Sequence, residues 1–265
     1  MKKVITASIV LYNTNPIDLQ KAINSFFITK QNTKLYLIDN SLVDVLRDFK
    51  YFNSRVEYIH NPKNPGYGAS HNVAIQKAME LGSKYHFIIN PDIYFKGDVI
   101  TPMVEYMEID ATIGMMMPQV LNDDGSIQYL PKLLPSPFSI FRRKIKKPYA
   151  TYLKFINTYE LRKIQKNIIY NTPVLSGCFT LLNLDAIRKV GMYDDKFFMY
   201  FEDWDLSRRV HQQYKTIYFP KVSVIHKYES GASKNLKLFI IFIISAITYF
   251  NKWRWFFDSN RKKIN

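Results

Sequence analysis

Apolar runs of strand length alternate with helical spacing through the first ninety or so residues, and the runs end in polar clusters. No other feature constrains the fold of this 265-residue chain as strongly. Residues 4–11 are a β-rich run that gives way to Tyr12-Asn13. Helical spacing follows over 16–28 (Ile17, Leu19, Ala22, Ile23, Phe26, Phe27), behind an Asn15-Pro16 start signal. Runs at 35–38, 56–60 and 85–89 read as three further strands. The first of these ends at Asp39-Asn40-Ser41 and the last at Asn90-Pro91-Asp92. Strands alternating with helices imply an α/β fold with a mostly parallel central sheet flanked by helices. Ligands of such sheets sit beyond the carboxyl ends of the strands, where these clusters fall.

The second half changes character. Between about 133 and 171 a basic run, Arg142-Arg143-Lys144-Ile145-Lys146-Lys147, is followed by further Lys and Arg with aromatics between. It reads as a partly helical insertion beside the site, either a solvated basic face or a patch for an anionic acceptor or membrane. Strands resume near 174–182, with a short helix from Asp185, and late strands fall at 216–219 and 222–226. Residues 234–265 form an amphipathic helical tail, apolar over 238–250 except for Ser245 and Thr248. That run is shorter than the roughly 20 residues a membrane span needs. Its flanking Trp, Lys and Arg suit a helix lying in the interface of an anionic membrane; a buried core helix fits the same pattern.

Net charge narrows the partners. With 37 Lys and Arg against 22 Asp and Glu, the chain carries +15, which points to a nucleotide, a diphosphate, a nucleic acid or an acidic membrane. A non-catalytic nucleic-acid binder is disfavoured, because the basic residues concentrate in the insertion and tail and no nucleic-acid motif is present. Cys178 is the lone cysteine, which excludes an intramolecular disulfide and a zinc finger and suits a reduced cytosolic compartment. The opening MKKVITASIVLYN reads as a first strand, not a signal peptide.

The chemistry concentrates at 197–206, where Glu202, Asp203 and Asp205 sit among Phe197, Phe198, Tyr200, Phe201 and Trp204. Aromatic surroundings raise a carboxyl pKa and suit a base near neutral pH. Acids at an ordinary helix start give the same pattern. Asp92 follows a buried strand and His226 ends another, a set of oxygen and nitrogen ligands suited to Mg²⁺ or Mn²⁺. The glycine-containing stretch 61–72 opens a helix whose N–H groups can face phosphate. It has neither the GxGxxG nor the GxxxxGK[ST] pattern.

Taken in order, SIVLYN, IDNS, NPGYGASHN, INPDIYF, LSGCFTLLNLDAIRKVGMYDDKFFMYFEDWDLSRRV and the His226-x6-Ser233 pair resemble the inverting family 2 glycosyltransferases. The likeness is to their rhamnosyltransferase-like branch, which makes bacterial surface polysaccharides, and it spans residues 4 to 233. It implies a GT-A fold over 1–233 with 234–265 as an extension. Asp203 would be the general base, with Glu202 and Trp204 near the acceptor. Val10, Tyr12, Asn13, Asp39, Asn72, Asn90 and Ser233 would line the donor, Asp39 against its pyrimidine. Asp92 and His226 would hold Mg²⁺ or Mn²⁺ against the diphosphate; Asn90 replaces the family's first acid and removes one charge there. The implied reaction transfers L-rhamnose from dTDP-L-rhamnose to a polyprenyl-diphosphate-linked glycan, with a UDP-hexose or UDP-galactofuranose as alternative donors. It would run in the cytoplasm, on the inner face of an anionic cell membrane.

Overall fold

The computed structural model describes residues 4–227 and 235–265. Its first part follows the alternation read from the sequence: β1 (Ile5–Leu11), α1 (Pro16–Phe26), β2 (Thr33–Asp39), β3 (Val56–His60), α2 (Tyr67–Glu80) and β4 (Tyr85–Ile89). All seven residues of β1 are buried, Thr6 and Ser8 among them, as expected for a parallel strand covered on both faces. The Asn15 side chain caps α1 by accepting from Ile17 N–H, and Pro16 occupies the first turn, where its missing N–H has no cost. Leu19, Ala22, Ile23 and Phe26 then face the sheet.

These strands are parallel in the order β3-β2-β1-β4. Leu11 pairs with Asp39, and Ile9 with Ile89. The carboxyl ends of β1, β2 and β4 therefore lie side by side, and the polar clusters share one edge.

The rest of the sheet is built differently. Beyond β5 (Ile93–Tyr94), α3 (Ile100–Ile109) and β6 (Ile113–Leu121) come α4 (Pro137–Lys144), α5 (Tyr149–Tyr159), β7 (Tyr170–Asn171) and β8 (Phe179–Asn183). α6 (Leu184–Val190), α7 (Glu202–His211) and β9 (Lys215–His226) follow. β8 runs antiparallel between β4 and β6; β9 is parallel to β6 and antiparallel to β5 and β7. The two late strands read at 216–219 and 222–226 are one strand. Its register against β6 jumps where Pro118 faces Phe219 and Gln119 faces Ser223. Pro220, which has no N–H for a ladder, sits in the bulge between them.

The segment 133–171 carries α4 and α5. α4 is capped by a Ser136–Ser139 box with Pro137 in its first turn. The tail forms α8 (Leu236–Trp253) and the short α9 (Ser259–Ile264). α8 has 18 residues and is long and apolar enough, by length and composition, to cross a membrane. One face is nevertheless buried: Ala246, Tyr249 and Phe250 pack with Phe197 and Phe201. Ile240, Ile243, Ile244 and Ile247 remain exposed. Core packing and an outward apolar stripe thus belong to opposite faces of one helix.

Candidate active site

α7 delivers the acids, and its entry is strained. Tyr200 and Phe201 both take left-handed backbone, with φ of 69° and 66°, a conformation costly for bulky residues. Packing holds them there: the Phe201 ring lies 4.7 Å from Trp204, 5.3 Å from Phe242 and 5.5 Å from Tyr249. Asp203, in the first turn, then points across to the loop before β8. Its Oδ2 accepts from Gly177 N–H at 2.9 Å, and its Oδ1 from Trp204 N–H at 2.9 Å. Glycine keeps this approach uncrowded, because a Cβ at Gly177 would stand 3.2 Å from that of Asp203.

Burial pushes the Asp203 carboxyl up to about 6, against the pull of the Gly177 and Trp204 N–H groups and the Lys132 ammonium. That value suits a base near neutral pH. Glu202 behaves differently. It is buried, its Oε2 has no hydrogen-bond partner, and burial together with the neighbouring Asp203 charge holds its pKa well above the usual range. Of the two residues expected near the acceptor, Glu202 turns its side chain to the interior and Trp204 is partly exposed. Asp205 is wholly buried and accepts from Arg209, Lys252 and Trp253 Nε1, the last at 2.7 Å.

Asp92 and His226 meet because β5 pairs with β9, setting Ile93 opposite His226. His226 Nε2 lies 3.4 Å from Asp92 Oδ1, a buried oxygen with no hydrogen-bond partner. On its other side His226 Nδ1 lies 3.1 Å from Gln128 Oε1, an acceptor, so Nδ1 carries the proton. An imidazole nitrogen and a carboxylate oxygen facing one another are ligand types that suit a divalent cation, with Gln128 bracing the ring from behind. Among the described residues no cluster of three His, Cys, Asp or Glu forms a metal cage. Mg²⁺ and Mn²⁺ tolerate that, since water and substrate oxygens commonly complete their shells. An open cleft of about 450 Å³ adjoins Asp92, lined by Asp18, Lys21, Tyr94, Asp123 and Lys227.

Tyr67 joins the two halves. Its hydroxyl lies 2.8 Å from both Asn90 Oδ1 and Gly177 O, and shares its one proton between them. The loop whose Gly177 N–H binds Asp203 is thereby tied to the end of β4 next to Asp92. The glycine loop before α2 positions Tyr67 for this contact, with Tyr67 N–H bound to Phe198 O at 2.8 Å.

On the donor side the geometry is selective. Val10, Tyr12 and Asn13 stand at the end of β1, with Tyr12 and Asn13 exposed. Asp39 is fully buried, with Oδ1 taken by Ser41 N–H and Oδ2 by the Tyr58 hydroxyl at 2.6 Å. Asp39, expected against the pyrimidine, holds the Asn40-Ser41 turn in this structure, where Ser41 Oγ accepts from Asn13 N–H. Asn72, expected at the donor, has an amide that clamps Tyr193 N and O and Asp195, more than a hundred residues along the chain. Ser233 lies outside the described residues. Tyr67, Gln128, Gly177 and Lys132 escaped the sequence reading. The signal for Tyr67 and Gly177 was their place inside segments already singled out; Gln128 and Lys132 sit in no motif.

Fold and site together define a nucleotide-diphospho-sugar transferase of the GT-A type. A solved chain described as GalNAc-T7 with UDP, GalNAc and Mn²⁺ superposes with a TM-score of 0.62 at 18% identity, over 86% of this chain and 43% of its own. This chain thus spans about two fifths of that protein's length. The family model of glycosyl transferase family 2 matches residues 6–191, and the chain belongs to that family; it is a glycosyltransferase. Among curated relatives, the N-acetylglucosaminyl-diphospho-decaprenol L-rhamnosyltransferase of Mycobacterium tuberculosis is 24% identical over 85% of this chain and 76% of its own. Rhamnosyltransferase WbbL of Escherichia coli K12 is 24% identical over 72% and 71%.

Proposed function

We propose that this glycosyltransferase moves L-rhamnose from dTDP-L-rhamnose to a polyprenyl-diphosphate-linked glycan, with inversion, in the synthesis of a bacterial surface polysaccharide. The observation that carries the reaction is the chain Asp203–Gly177–Tyr67–Asn90, which fixes a base of raised pKa against the strand end bearing Asp92. Support for the sugar and the lipid-linked acceptor comes from the two rhamnosyltransferase relatives, one of them named for a decaprenol-linked substrate. Such an acceptor places the enzyme on the cytoplasmic face of the cell membrane.

Asp203 removes the proton from an acceptor hydroxyl, whose oxygen attacks the anomeric carbon opposite the departing nucleotide. The bond to the diphosphate breaks as the new glycosidic bond forms, so one base suffices and no covalent intermediate arises. Asp92 and His226 would hold Mg²⁺ or Mn²⁺, which when bound neutralises charge on the diphosphate. Lys21 and Lys227, on the cleft beside Asp92, add positive charge on the same side. Trp204 offers a flat, partly exposed wall to the acceptor.

The test combines a donor screen with one substitution. dTDP- and UDP-sugars are assayed for nucleotide release with and without EDTA, and dTDP-L-rhamnose is expected to give the fastest metal-dependent transfer. Asp203→Asn lowers transfer by about 10²–10⁴-fold, the usual contribution of a general base, and leaves donor binding intact. Undiminished transfer by that variant removes Asp203 from the base role.

A further inference from the structure

The charge of this protein is not spread over its surface. Residues 133–171 and 234–265 hold sixteen of the 37 Lys and Arg but two of the 22 Asp and Glu, and so carry nearly all of the net +15. Both of those acids, Glu160 and Asp258, are buried and spent on arginines: Glu160 on Arg162 and Arg143, Asp258 on Arg208 and Arg261. Among the described residues, the charge that these two segments turn outward is therefore cationic.

The same segments expose apolar surface. Ile240, Ile243, Ile244 and Ile247 recur at helical spacing on the outer face of α8. Just beyond the helix, Phe256 and Phe257 are 71% and 85% exposed. Lys144 of α4 reaches the edge of the stripe, 5.5 Å from the Phe242 ring, and Ile140 of α4 packs into the cluster beneath α8.

We infer that α8, the Trp255–Phe257 turn and the basic residues of α4 and its following loop form one docking face for an anionic lipid surface, on which α8 lies flat. The apolar stripe enters the acyl boundary while Lys and Arg meet the headgroups. A second copy of this chain is the poorer occupant, since two such cationic faces would repel one another. Nucleic acid would use the charge and the rings but has no use for an aliphatic stripe. α8 is also bolted to the body. Trp253 Nε1 and Lys252 bind Asp205, Ser245 Oγ donates to Met199 O, and Phe242 and Tyr249 pack on Phe201. A helix held in this way rests on a bilayer and does not cross it. Phe201 immediately precedes Glu202 and Asp203, so the docked face sets the height of the base above the lipid. The inference deepens the lipid-linked acceptor reading by naming the surface that presents it, yet its support is independent of the sugar transferred.

Flotation of the full-length protein with vesicles of phosphatidylcholine alone, or of phosphatidylcholine with phosphatidylglycerol, tests it. Recovery with the anionic vesicles only, weakened by salt, is the expected result. Lys146→Gln with Lys147→Gln lowers that binding by about thirtyfold, at roughly one headgroup interaction per lysine. Phe256→Ser with Phe257→Ser also lowers it, and neither pair changes transfer to a water-soluble acceptor or the melting temperature. Equal recovery with both vesicle types, or with neither, overturns the inference. So does a lipid-free dimer that the Phe256 and Phe257 substitutions dissolve, or tighter binding to DNA than to the anionic vesicles. Failure of flotation with transfer intact removes the docking face alone. Flotation without transfer from any nucleotide-sugar removes the enzymatic reading and leaves the face standing.

Discussion

As the proposed base, Asp203 can accept a proton only while ionised, so its pKa of about 6 would set the acid limb of the reaction. Below that pH the carboxyl is protonated and idle; above it the base is available. The logarithm of kcat/KM is expected to climb with unit slope up to about pH 6 and then level. Lys132 helps to place that limb. Its buried ammonium donates to Tyr129 O and Leu130 O, and burial with the nearby Arg143 charge lowers its own pKa to about 8. Lys132→Met removes a cation that favours the Asp203 carboxylate, so the limb moves to higher pH, while Lys132→Arg leaves it nearly in place. A limb unmoved by Lys132→Met separates the two residues. Gln128 is a positioning residue for the metal side, holding His226 by ring and backbone. Gln128→Leu should weaken Mn²⁺ binding about 10–100-fold in calorimetry without substrate; an unchanged dissociation constant would refute the assignment. The sequence displays Asp92, Asp203 and His226 because strand ends and aromatic neighbours mark them. It conceals Lys132 and Gln128, whose positions depend on the Lys132–Val174 bridge and on side-chain contact with β9. Glu202 is placed near the acceptor by the resemblance alone, and only the path of the chain through Phe201 shows that its side chain turns inward.

At the scale of elements, the loop opening α2 does the work of a joint. Gly66 has φ of 105°, and a Cβ there would lie 2.3 Å from Phe198 O. Gly66→Ala therefore conflicts with both backbone conformation and space, and should cost more than about 1 kcal/mol. It also displaces Tyr67 from Asn90 and Gly177, so kcat falls further than donor affinity. Urea unfolding and steady-state kinetics check the two parts, and wild-type stability in that variant would remove the joint. The parallel half of the sheet is legible because short, largely apolar and β-branched runs stand between turn signals and alternate with helical spacing. β6 was not legible: Ile113–Leu121 contains three consecutive Met and a Pro, poor strand formers that tertiary pairing to β8 and β9 overrides. β9 was read as two strands because Pro220 interrupts its pattern, although the bulge lets pairing resume on the far side.

Over the whole molecule, the tail and the catalytic helix form one mechanical unit, and a buried ion pair closes it. Arg208 of α7 and Asp258 beyond α8 are 1% and 4% exposed and lie 2.7 Å apart, with the guanidinium 4.1 Å over the Trp253 ring. Composition shows the tail's charge and apolar content, but no local pattern shows that an arginine more than forty residues upstream is its partner. Burial alone would raise the Asp258 pKa; the bonds from Arg208 and Arg261 outweigh it and hold the carboxyl below its ordinary 3.8. A depressed carboxylate contributes stability that is present above the unfolded value and lost as pH falls through the folded one. The joint should therefore stay closed at neutral pH and loosen only below about pH 4. Asp258→Ala leaves Arg208 buried without its partner and should cost about 3–5 kcal/mol. Replacing both residues by apolar ones of similar size should recover much of that loss, because no charge is then stranded. Denaturant unfolding measures the loss, and the fluorescence of Trp253, stacked on the guanidinium, reports whether the joint opens before the body unfolds. Because α8 also packs on Phe201, opening the joint should reduce transfer to a soluble acceptor as well. A variant that loses the pair yet keeps full stability and full transfer would show that tail and catalytic helix are independent.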